Sequence, residues 1–110
     1  MGAFDGDRLV ASAGLFRQRP LKMRHKAVLW GVYVEPVARG KGLSRRLIQA
    51  MLQHARTLPG IRQLCLSVSA NNRPAQAIYL GLGFTEFAHE PDALWVDGDW
   101  VAEKQMVKFL

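Results

Sequence analysis

The chain of 110 residues predicts an α/β (α+β) fold with a mixed sheet, and three features of the sequence carry that reading. Apolar residues alternate with their neighbours at Leu9, Ala11, Ala13 and Leu15, the period of a half-buried strand. Two stretches, 43–57 and 72–82, instead place apolar residues three and four apart, the period of an amphipathic helix. Apolar strands at 25–34 and 62–69 flank the first helix, and this strand-helix-strand order predicts a parallel, right-handed crossover at the centre of the sheet.

Each element follows from local chemistry. The chain opens as a hairpin, with a strand end at 2–4, a turn at Asp5-Gly6-Asp7 and a strand at 8–17 ended by Gln18-Arg19-Pro20. The strand at 25–34 is closed by Glu35-Pro36. The helix at 43–57 is expected to bury Leu43, Leu47, Ile48, Met51, Leu52 and Ala55, leaving Arg45, Arg46, Gln49, Gln53 and Arg56 in water. Pro59-Gly60 separates it from the strand at 62–69. In the second helix Asn72 is a good N-cap, Pro74 occupies the tolerant first turn, and Ala75, Ile78, Tyr79 and Leu82 share a face. Gly83 is suited to a left-handed C-cap, with Phe84 folding back as its hydrophobic contact. Beyond it we expect a short strand at 85–88, a loop through Pro91-Asp92, a strand at 94–96, a turn at Asp97-Gly98-Asp99 and a last strand at 102–110. Residues 1–110 therefore read as a single domain with one core.

Composition narrows the function classes. The formal charge of +6 and pI near 10.1 suit an anionic ligand. Nucleic acid is not expected, because no basic run alternates with aromatics and the cations are spread over the first two-thirds of the chain. Cys65 is the only cysteine, so an internal disulfide is impossible, and it reads as a buried strand residue. His25, His54 and His89 form no ligand pair, and no metal is expected. No apolar run approaches the roughly 20 residues needed to span a bilayer, so the expected setting is cytoplasmic and away from membranes.

The chemistry concentrates where the strand at 25–34 runs through Arg39-Gly40-Lys41-Gly42-Leu43-Ser44 into the helix. Glycines let backbone N–H groups turn inward, the helix N-terminus adds partial positive charge, and Arg39, Lys41, Arg45 and Arg46 surround the turn. A diphosphate-bearing ligand fits such a site, although a glycine turn taken alone also serves as a plain strand-to-helix cap. The spacing is neither that of a Rossmann nor of a Walker loop. It matches R-x-x-G-x-[G/A], with Ser44 in the last place. Some thirty residues later, Asn72, Ala75 and Tyr79 match N-x-x-A-x-x-x-Y, closed by Gly83-Phe84. Together these two signatures resemble the GNAT N-acetyltransferase superfamily, over nearly the whole chain.

The resemblance implies a GNAT-like mixed sheet and acetyl-CoA as co-substrate, lying in a V-shaped opening between the strands at 25–34 and 62–69. Backbone atoms of Val32, Tyr33 and Val34 then pair with the pantetheine, and Arg39, Gly40, Lys41, Gly42, Leu43 and Ser44 hold the pyrophosphate. Asn72 either contacts the pantetheine or only caps its helix. Tyr79, otherwise a core aromatic, protonates the departing thiolate, which a phenol of pKa about 10 can do at neutral pH. The implied reaction is transfer of acetyl to a primary amine, on a small molecule or a protein, by direct attack in a ternary complex. Many members place a basic glutamate on the central strand. None lies between His25 and Val34, and neither Glu35 nor His25 is assigned that role. Members usually start with a further strand and one or two helices that wall the acceptor site, which this sequence is expected to lack. An alternative is therefore a CoA-binding domain with little or no catalysis, completed by pairing into a homodimer through an exposed edge strand. Trp95, Trp100, Asp92 and His89 line an acceptor pocket or form the core of the terminal hairpin.

Overall fold

The structure, a computed structural model, describes residues 2–5, 8–19, 21–34 and 42–110. Strands β1 (Gly2–Asp5), β2 (Arg8–Arg17) and β3 (Lys26–Val34) lead to helix α1 (Leu43–Thr57). Then come β4 (Gln63–Ser69), helix α2 (Arg73–Gly81), β5 (Thr85–Val96) and β6 (Asp99–Phe109), with a 3-10 turn at Leu21–Met23. The six strands form one sheet in the order β1-β2-β3-β4-β6-β5. β3 and β4 run parallel across the α1 crossover, and the other neighbours are antiparallel.

The core lies on the face of the sheet covered by the helices. Leu64, Leu66 and Val68 of β4 are buried, whereas Ser67 between them is exposed, the alternation of a strand with one covered face. α1 buries Leu47, Ile48, Met51, Leu52 and Ala55 against that face. Leu43, expected in the same stripe, is only half-buried at the helix start. Phe84, Ile48, Leu64 and Met106 are the largest fully enclosed side chains. Cys65 points off the core stripe and is half-buried rather than buried, its Sγ accepting from Gln63 Nε2 at 3.4 Å. Among the described residues no helix is long and apolar enough to cross a membrane.

α2 ends in a Schellman turn. The Gly83 N–H donates to Leu80 O at 3.1 Å and the Phe84 N–H to Tyr79 O at 3.0 Å, with Gly83 at φ +96°. A Cβ at Gly83 would be strained by that φ and would sit 2.4 Å from Lys108 Nζ, the flexible end of a side chain that can swing away. Gly83→Ala is thus expected to lower the unfolding free energy by about 1–2 kcal/mol, seen as a shift of the urea midpoint at constant m-value.

The carboxyl-terminal region departs from expectation. Residues 85–96 form one strand, not two strands around a loop at Pro91-Asp92. The missing N–H of Pro91 costs little because β5 is an edge strand. The ladder absorbs the irregularity as a bulge between Glu90 and Leu94, where Asp92 takes φ +51°. β6 starts at Asp99, three residues earlier than 102, because Asp97 (φ +50°) and Gly98 (φ +82°) make a tight two-residue turn that sets Val96 opposite Asp99.

Candidate functional site

β3 and β4 pair only at Lys26↔Gln63, Ala27↔Leu64 and Val28↔Cys65. Past that point each follows its other neighbour: β3 stays with β2 as far as Ala11↔Val34, and β4 with β6 as far as Ser69↔Glu103. The two parallel strands thus separate into a wedge that opens towards their carboxyl ends. Their facing backbone groups, which no longer pair with each other, can pair with an extended ligand. A bulge marks the β3 side, since Gly31 and Val32 together stand opposite Ala13 between the pairs Gly14↔Trp30 and Ser12↔Tyr33. Val32 is half-buried and packs against the core. Tyr33 and Val34 continue the strand backbone.

α1 begins at the same end of the sheet as the mouth of the wedge. Its N-cap, Gly42, takes the left-handed conformation at φ 70°, no side chain caps it, and the first turn holds no acidic residue. A Cβ at Gly42 would touch nothing within 4 Å, so glycine here serves the backbone conformation and not the packing. Leu43 and Ser44 follow in the first turn, half-buried. Arg39, Gly40 and Lys41 lie outside the described residues. The Arg45 guanidinium lies beside Gly81 of α2, 3.3 Å from where a Cβ there would sit.

α2 leaves the tip of β4 on the other side of the wedge. Asn72 Oδ1 accepts the Ala75 N–H at 3.3 Å, making Asn72 the N-cap. Gln76, which the motif leaves unspecified, anchors the helix by donating from Nε2 to the carbonyls of Ser69 (3.0 Å) and Ala70 (2.9 Å). Its only sequence signal is an amide one turn after the N-cap Asn72. Tyr79 is 6% exposed, with its ring edge-on to Phe84 at 5.8 Å and 65°. No described residue hydrogen-bonds its hydroxyl, which is unusual for a buried phenol. Burial pushes the Tyr79 phenol above its ordinary value, so it stays protonated at neutral pH.

Trp95 and Trp100 do not form a buried hairpin core. They stand opposite each other in the β5–β6 ladder, ring centroids 4.8 Å apart, each 61% exposed. His89 and Asp92 are likewise exposed on β5. Among the described residues no cluster of His, Cys, Asp or Glu is arranged to hold a metal ion.

Comparison with known proteins agrees with this geometry. Residues 1–84 match the Acetyltransferase (GNAT) family. A mycothiol acetyltransferase from Geodermatophilus obscurus is 37% identical over 95 residues, 84% of this chain and 30% of that protein. The chain thus spans less than a third of that relative. The ribosomal-protein-alanine N-acetyltransferase of Brucella melitensis superposes with a TM-score of 0.88 at 28% identity, over 99% of this chain and 67% of its own. yncA, a putative acetyltransferase from Salmonella typhimurium solved with its cofactor acetyl-CoA, has the same fold. Its TM-score is 0.90 at 24% identity, over 99% of this chain and 62% of its own.

Proposed function

This chain belongs to the GNAT acetyltransferase family, and from that premise we propose that it is an acetyl-CoA-dependent N-acetyltransferase acting on a primary amine. The observation that carries the reading is the wedge between β3 and β4, with the start of α1, which no side chain caps, at its mouth. An elongated ligand with amides along its length and a diphosphate at one end matches that arrangement.

In this reading the β3 backbone at Val32, Tyr33 and Val34 pairs with the pantetheine. The loop Arg39, Gly40, Lys41, Gly42, Leu43 and Ser44 holds the pyrophosphate through backbone N–H groups and the dipole of α1. Asn72 caps α2 and borders the same site. The bound thioester supplies the acetyl carbonyl that an unprotonated amine attacks. As the C–S bond breaks, Tyr79 would give its proton to the sulfur, a role that its raised pKa keeps available at neutral pH, and the surplus proton on the acylated nitrogen, lost to solvent, balances the proton that the phenolate regains. The acceptor is an amine on a small molecule or a protein. The lone thiol suits a reducing, cytoplasmic setting.

A second reading, cofactor binding without efficient transfer, draws on β3, whose residues Lys26–Val34 include no carboxylate to take the proton of the amine. Calorimetric titration with acetyl-CoA, on the wild type and on Gly42→Glu, tests the first step. Saturable micromolar binding is expected. It should weaken at least about tenfold when a carboxylate is placed at the helix N-terminus in a variant whose circular dichroism is unchanged. A folded wild type that binds no acetyl-CoA overturns the cofactor site. Binding with no Tyr79-dependent release of free thiol across a panel of amines leaves the second reading in place.

A further inference from the structure

Past its last pairing with β3, β4 presents two unlike faces. Leu66 and Val68 point into the core under the helices, with Met106 and Lys104 opposite them on β6. Ser67 and Ser69 point the other way, with Gln105 and Glu103 opposite, and Ser67 is exposed. On β3 the matching residue is Trp30, two positions past the last parallel pair, Val28↔Cys65, and 57% exposed. Its ring lies against β2 over Gly14, where any Cβ would run into the indole. On this face the two lips of the wedge therefore differ. β3 offers an apolar indole wall, and β4 offers Ser67, whose hydroxyl donates to Gln105 Oε1 at 2.6 Å.

Beyond Gln105 the polar lip turns acidic. Glu103, which pairs with Ser69 at the end of β4, stands directly opposite Glu90 in the β5–β6 ladder. Two carboxylates as cross-strand neighbours are destabilising unless a cation lies between them. Among the described residues neither has an ion-pair partner. Lys104, adjacent in sequence, is turned to the helix face and pairs with Glu86 at 3.5 Å. The pair belongs to 85–103, which holds six of the nine acidic residues and no lysine or arginine, in a chain of formal charge +6. A cation approaching this basic molecule is therefore drawn to the stretch that borders the mouth of the wedge.

We propose that the acceptor is an amine carrying a second cationic group, which Glu90 and Glu103 hold while the reacting nitrogen enters the wedge between Trp30 and Ser67. This rests on the transferase reading above and names its substrate class. Both helices pack on the core face, so the face of Trp30 and Ser67 is the one left open to the acceptor. The site also divides the protons. An attacking nitrogen must be neutral, and at the wedge neither β3 nor β4 supplies a carboxylate that would hold it as an ammonium. The Glu90–Glu103 pair favours the charged form of the far nitrogen, so a diamine meets both demands in one molecule. β6 and β5 lie about 5 and 10 Å past β4 at the usual strand spacing. That reach suits nitrogens about 9 Å apart, as in an extended six-carbon diamine with single bonds of about 1.5 Å. The C–N bond forms at the neutral nitrogen as the C–S bond breaks, that nitrogen loses its surplus proton to solvent, and the far ammonium keeps its charge.

Calorimetric titration of the full chain with 1,6-diaminohexane and with hexylamine, which lacks only the second nitrogen, tests this. The diamine is expected to bind at least about tenfold more tightly. Glu90→Gln with Glu103→Gln should bring it down to the level of hexylamine. Relief of the opposed charges should leave the urea midpoint of that variant at or above the wild-type value, so that lost binding is not lost folding. Trp30→Ala should weaken both amines alike, because the indole meets the alkyl chain and not the far charge. In acetyl transfer followed by thiol release, the preference for the diamine should reappear in KM. Equal binding of the two amines overturns the proposal, as does a preference that survives the glutamate substitutions. A preference in binding that is absent from KM also overturns it, since the pair then holds cations away from the reaction. In each of these cases release of thiol leaves the transferase reading standing. A glutamate-dependent preference without any release of thiol supports the cation site and counts against the transferase.

Discussion

Tyr79→Phe is expected to lower kcat by about 10²- to 10⁴-fold, the range a positioned general acid contributes, with little change in the Kd for acetyl-CoA. The ring and its edge-on contact with Phe84 are kept, so only the proton donor is lost. Stability should hold or rise, because the hydroxyl is buried with no described partner and its removal relieves a desolvation cost. A purely structural tyrosine would show the opposite pattern, with normal kcat and a lowered unfolding midpoint. The pH dependence gives a second readout. Burial raises the folded-state pKa above the unfolded value of about 10, so the folded and unfolded states bind this proton equally at neutral pH. Above about pH 10 the unfolded chain loses the proton first and the protein loses stability as pH rises. That alkaline decline should be smaller in Tyr79→Phe, as measured by thermal unfolding between pH 9 and 11. In the wild type, Tyr79 should contribute no loss of kcat on the alkaline side below about pH 10.

Local chemistry was legible in the sequence wherever a pattern persisted over several turns or ended in a distinctive residue. α1 covers 43–57 as read, since five core positions at helical spacing leave one register open. The end of α2 was equally readable, because a glycine followed by an aromatic makes a Schellman turn by backbone conformation and one side-chain contact. Pro91-Asp92 misled because proline breaks a central strand but not an edge, and which strand lies at the edge is a property of the whole sheet. The wedge was legible only through resemblance. Its three-pair parallel ladder joins residues more than thirty positions apart, and nothing local says where the ladder stops. Gln76 escaped for a similar reason, its meaning resting on two carbonyls at the tip of β4. The part of the loop expected at 39–41 lies outside the described residues. The Trp95–Trp100 pair is exposed rather than core because β5 and β6 run on past the end of β4, a length difference that no local pattern states.

Phe84 joins the stability of this fold to its proposed chemistry, and its substitution should affect both. The side chain is 1% exposed and among the largest enclosed in the core. Phe84→Ala is expected to cost about 3–5 kcal/mol, a large share of the roughly 5–15 kcal/mol available to a small domain, and urea unfolding should show a population of unfolded chains without denaturant or close to it. Phe84→Leu is the more informative change. It keeps the apolar contact that completes the Schellman turn and most of the volume, and the backbone bond from its N–H to Tyr79 O at 3.0 Å does not involve the side chain. Its stability cost should stay near 1–1.5 kcal/mol, as for other volume-conserving swaps. What it removes is the ring that meets Tyr79 edge-on at 5.8 Å. If that contact fixes the direction of the phenol, Phe84→Leu lowers kcat by about tenfold, because small misplacements of a reacting group are costly, while the Kd for acetyl-CoA stays near the wild-type value. A Phe84→Leu variant with undiminished kcat would show instead that the α2 backbone, held at its start by Asn72 and Gln76, aims Tyr79 unaided.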